Sequence, residues 1–93
     1  MNLPVTRSPR ATEDILTIVA YLAEHSPLAA RQFLDQLAQA QERLSSFPNS
    51  GAQSLASKSR RLILGDYIVS YRVRREFIQI FAVRHAKRRD ARP

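Results

Sequence analysis

Apolar residues change their spacing once along this chain. As far as Phe47 they recur every three or four positions; from Leu62 onwards they alternate with polar residues or run together. The first spacing belongs to helices with one buried face, the second to strands. Ile15, Ile18, Val19 and Leu22 predict an amphipathic helix from Pro9 to His25. Ser8-Pro9 supplies its start, because a serine side chain caps free backbone N–H groups and proline fits the first helical position. Glu13 and Asp14 fall in its early turns, where the positive end of the helix dipole favours carboxylates. Ser26-Pro27 repeats the start signal at once. Phe33, Leu37, Ala40, Leu44 and Phe47, with Leu34 widening the stripe, predict a second helix from Pro27 to Ser46. Two helices so closely joined predict a helix hairpin. Ahead of them, Leu3 and Val5 predict a short strand. It should lie at an edge or begin near Pro4, which has no N–H to give a ladder.

Pro48 stops the second helix, and the polar residues 48–59, with Gly51 among them, read as a loop. Leu62 to Leu64, Tyr67 to Val73 and Phe77 to Val83 then predict three strands, rich in residues that suit a pleated, half-buried surface. Gly65-Asp66 joins the first two. Glycine at the first loop position is what a type II′ hairpin requires. Arg74 to Glu76 make a longer turn between the second and third. Tyr67, Val69, Tyr71 and Val73 share one face, with Ile68, Ser70 and Arg72 on the other. Period two in the last strand sets Phe77, Gln79, Phe81 and Val83 against Ile78, Ile80, Ala82 and Arg84. The expected fold is α+β, in the order β-α-α-β-β-β, an antiparallel sheet covered on one face by the helix hairpin. The other face, partly apolar and edged by arginine, is a binding-surface candidate. Residues 1–93 read as one domain, with 86–93 a basic tail.

Charge sharpens this picture. The net charge is +7, but residues 1–57 carry −1 and residues 58–93 carry +8. An anionic partner at the sheet or the tail is expected from that asymmetry. The absence of cysteine excludes disulfides and thiolate metal sites. No His/Asp/Glu cluster has metal-ligand spacing, and no cofactor motif is present. No apolar run reaches the roughly 20 residues that span a bilayer, and the first residues carry no signal-peptide core. A cytoplasmic protein without membrane contact is the expectation.

The combination of elements resembles the RelE/ParE superfamily, the small toxins of bacterial type II toxin–antitoxin pairs. The resemblance rests on Ser8-Pro9-x-Ala11, the helix spanning Asp14-Ile15 to Tyr21-Leu22, and the Phe47-Pro48 stop with Gly51. It continues through Arg60-Arg61-Leu62, Tyr67-x-x-x-Tyr71-Arg72 and Val83-Arg84-His85. It covers nearly the whole chain, and the combination carries it rather than any one motif. It implies a toxin held by an acidic antitoxin as a hetero-oligomer. Two targets are implied by the two branches. ParE-like members inhibit DNA gyrase; RelE-like members cleave mRNA on the ribosome.

The residues favour the ParE-like branch. Metal-free RNA cleavage needs a base, an acid and cations around the reacting phosphate. His85, Arg61 and Arg84 are the residues this chain could offer for it. RelE-like enzymes often add a tyrosine near the C-terminus, and no tyrosine follows Tyr71 here. Val83, His85 and Arg88 instead match a V-x-H-x-x-R pattern common in ParE-like sequences. On this reading no residue is catalytic, and Arg60, Arg61, Arg72, Arg84, His85, Lys87, Arg88 and Arg89 form the target-binding set. The simpler role for His85 is a polar strand end bonded to backbone. Arg60 and Arg61, being adjacent on a strand, must face opposite sides. Tyr67 and Tyr71 are expected to pack rather than stack on bases. A non-enzymatic basic nucleic-acid-binding module is the third reading; no zinc-finger spacing, RNA-recognition strand motif or Gly-rich phosphate loop accompanies the charge.

Overall fold

In the computed structural model, which describes residues 2–55 and 57–88, the elements follow the predicted order with two short additions, a strand after the second helix and a closing turn. They are β1 (Val5–Arg7), α1 (Pro9–His25), α2 (Pro27–Ser46), β2 (Ala52–Gln53), β3 (Arg60–Leu64), β4 (Tyr67–Val73) and β5 (Ile78–His85), closed by a 3-10 turn, Ala86–Arg88. The two serine caps form as expected. Ser8 Oγ accepts from Ala11 N at 3.1 Å, and Ser26 Oγ accepts from Ala29 N at 3.2 Å. Ser26 is the whole connection, ending α1 while capping α2. The carboxylates depart from expectation. The first turn of α1 contains no acidic residue, so Glu13 and Asp14 lie past the reach of the dipole's positive end. Asp14 instead reaches across to the sheet, where its Oδ2 accepts from Val83 N, on β5, at 3.0 Å.

The strands form one sheet in the order β1-β5-β4-β3-β2. β3, β4 and β5 are the antiparallel meander. The expectation of a wholly antiparallel sheet is corrected at its edge. β1 runs parallel to β5, because the helix hairpin returns the chain to the far side of the sheet before the meander begins. The loop 48–59 also contributes the two-residue strand β2, paired to the start of β3. The Gly65-Asp66 turn behaves as predicted. Gly65 has φ 61° and no other described residue has a positive φ, which fits type II′ and excludes type I′.

Both helices lie on one face of the sheet. Ile15, Phe33, Leu37 and Leu44 from the helices meet Val69, Tyr71, Ile78, Ile80 and Val83 from the strands in one buried cluster. The presence of Val83 in that cluster contradicts simple alternation in the last strand. Tyr71 pairs with Ile80 and Ser70 pairs with Ala82, so β5 accommodates one residue more than β4 across this step. Such a β-bulge shifts every later residue to the opposite face. Val83 and His85 therefore turn inwards, and Ala82 and Arg84 turn outwards.

A cationic outer face and an inward histidine

The bulge decides which charged groups meet. On the uncovered face, cross-strand register places Arg61 of β3 beside Ser70 of β4, Ser70 beside Ala82 of β5, and Arg84 of β5 beside Ile68 of β4. Arg72 lies one step along β4 from Ser70 on the same side. Arg61 and Arg84 are exposed and Arg72 is half-buried. The Arg72 guanidinium carbon sits 4.1 Å above the Phe81 ring centroid, a cation–π contact that holds the charge flat against the sheet. Phe81 is the extra residue of the bulge, and no motif in the sequence singles it out. The signal that could have found it is the apolar spacing Ile78, Ile80, Val83, which period two cannot place on one face.

None of these outer-face positions holds a carboxylate, and no described residue forms an ion pair with Arg61, Arg72 or Arg84. Ile63, 67% exposed, lies beside Ile68, whose other neighbour across the sheet is Arg84. The face is therefore cationic with apolar ground between the charges, as the sequence predicted. Such a surface can hold an anionic, partly apolar partner.

Arg60 faces the other way. Its Nη1 donates to Gly51 O at 2.8 Å and to Asn49 O at 3.2 Å, so it pins the loop after α2. His85 is also on the helix side. Its ring meets Tyr67 edge-on at 5.2 Å, and Tyr67 meets Phe33 at 5.1 Å in turn. His85, Tyr67, Thr17, Ile18 and Tyr21 line a shallow hollow of about 160 Å³. His85 Nδ1 accepts from Lys87 N at 3.1 Å, so the neutral ring carries its proton on Nε2. Lys87 is exposed in the turn that follows β5. The side chain of Arg88, and Arg89 altogether, lie outside the described residues. The sequence-predicted set therefore divides into an outer group (Arg61, Arg72, Arg84), a loop clamp (Arg60) and an end group (His85, Lys87). Among the described residues no cluster of His, Cys, Asp and Glu could hold a metal ion, and no helix is long and apolar enough to cross a membrane.

Known proteins resemble the chain along most of its length. Residues 5–90 match the family described as ParE toxin of type II toxin-antitoxin system, parDE. Toxin RelE2 of Caulobacter vibrioides is 30% identical over 79 residues, covering 85% of this chain and 90% of that protein. Among solved structures, a chain of the chromosomal ParDE TA system from P. aeruginosa superposes with a TM-score of 0.73. It covers 89% of this chain and 95% of that one at 22% identity, which supports the fold.

Proposed function

This chain belongs to the ParE toxin family of type II toxin–antitoxin systems, and on that premise we propose that it arrests growth by poisoning DNA gyrase in the cytoplasm. Toxins of this kind pair with a cognate antitoxin. Here that antitoxin is an acidic protein that holds the toxin in a hetero-oligomer.

The observation that carries the gyrase reading is the separation of His85 from Arg61 and Arg84. A general acid or base must come within about 2.6–3.2 Å of the proton it moves, and the cations must reach the same phosphate. His85 lies on the helix side of β5 against Tyr67, whereas Arg61 and Arg84 share the opposite face. One phosphate cannot touch both sides of a sheet. The same arginines remain well placed for binding, where many modest contacts suffice. The C. vibrioides relative bears a RelE name, so ribosome-dependent mRNA cleavage is the reading against which the test is set.

Substitution separates the two. If the toxin binds gyrase or its DNA through a cationic end, His85→Ala retains most of the growth arrest. Each exposed charge contact is worth about 1 kcal/mol or less, so single losses are graded. Removing the charges of Arg84, Lys87, Arg88 and Arg89 together abolishes arrest while the circular dichroism spectrum persists. A proton-transfer role for His85 predicts the reverse, a loss of about 10²–10⁴-fold in rate from His85→Ala alone. That outcome would remove the gyrase reading.

A further inference from the structure

β1 pairs with β5 only from Ile78 to Ile80. Beyond Arg7 the chain leaves the sheet for α1, and among the described residues no strand lies at this edge of β5 beside Phe81 to Val83. Open backbone groups at a sheet edge need other partners. Helix α1 and its cap supply them. Ser8 N donates to Ile80 O at 2.9 Å, and Ser8 Oγ donates to Phe81 O at 3.4 Å. One and a half turns later the Asp14 carboxylate accepts from Val83 N at 3.0 Å. The stand-in groups coincide with the bulge opposite Ser70. A bulge leaves a residue unpaired and increases the local twist, so it persists where its freed groups are held.

We infer that Asp14 is a positioning residue for Arg84: by accepting from Val83 N it fixes the β5 bulge, and the bulge sets Arg84 on the outer face beside Arg61 and Arg72. This rests on the proposed function only in giving Arg84 a target to contact. Its geometry stands on Asp14, Val83 and the register. With Asp14 silent, Val83 N has no partner from α1. Period two from Ile80 would then carry Arg84 towards the helices and Val83 towards solvent. The Arg10 Nε lies 3.7 Å from the same Oδ2, but Arg10 is largely exposed and makes the weaker claim on that oxygen.

Asp14→Ala and Asp14→Asn isolate the acceptor, because both lose the charge facing Arg10 and only the asparagine keeps an oxygen for Val83 N. Amide hydrogen exchange in Asp14→Ala should quicken at Val83 and Arg84 by about tenfold or more, as expected when a buried donor loses its partner. The α2 core amides of Phe33 and Leu37 should change much less, and Asp14→Asn should restore protection. Equal quickening everywhere, or no rescue by asparagine, would overturn the inference. The wild-type protein gives a test that needs no variant: a scalar coupling across the hydrogen bond between the Val83 amide nitrogen and the Asp14 carboxyl carbon. Its absence would also overturn the inference. Gyrase inhibition by the same variants keeps the two questions apart. Local exchange at Val83 without any gyrase effect in wild type would leave Asp14 its role and remove only the target.

Discussion

Tyr71 is wholly buried, and its hydroxyl is saturated at both ends. It accepts from Gly51 N at 2.8 Å and donates to Pro48 O at 2.9 Å, tying the middle of the sheet to the loop after α2. A Cβ on Gly51 would stand 2.6 Å from both the Arg61 carbonyl oxygen and the Tyr71 hydroxyl, so only glycine fits. Tyr71→Phe leaves the Gly51 N–H without an acceptor and should lower stability by about 1–3 kcal/mol. Urea unfolding checks this, and an unchanged midpoint would contradict it. The sequence marks Tyr71 as sheet packing and Gly51 as loop, both correctly. The bond between them is illegible there, since the spacing of two residues in different elements carries no periodic signal. Arg60 repeats the lesson. Its opposition to Arg61 follows from strand geometry alone, but its attachment to Asn49 and Gly51 depends on where the loop returns.

The helices are the most legible elements. Both begin at a serine cap followed by proline, and both end where the sequence places them, at His25 and Ser46. Local chemistry sets those ends, so local reading finds them. Leu37, 1% exposed, is the centre of the α2 stripe, and Leu37→Ala should cost about 2–5 kcal/mol. A thermal midpoint within a degree of wild type would mean that α2 does not pack as described. β5 is the least legible element. Its bulge answers to Ser70 on the neighbouring strand and to Asp14 on a helix far away in sequence, and neither is visible from Ile78 to His85 alone. For that reason Val83, Arg84 and His85 lie on the faces opposite to those that alternation predicts, and His85 does not meet Arg61.

At the scale of the molecule, the charge asymmetry of the sequence becomes a geometric one. The meander turns Arg61, Arg72 and Arg84 to the side the helices leave bare, and it leads into the basic tail. Apolar groups lie among those charges, Ile63 and Phe81 in particular. An acidic, amphipathic antitoxin segment should therefore draw most of its affinity from apolar contact and its on-rate from charge. Raising the salt concentration should slow association strongly and leave dissociation little changed. Collapse of the complex at moderate salt would assign the affinity to charge instead.

One purified preparation of the toxin, given to two targets side by side, decides between the two chemistries. DNA gyrase is assayed for supercoiling, and programmed ribosomes are assayed for cleavage of their mRNA. The proposed gyrase target predicts loss of supercoiling and intact mRNA. Cleaved mRNA with supercoiling untouched would contradict it.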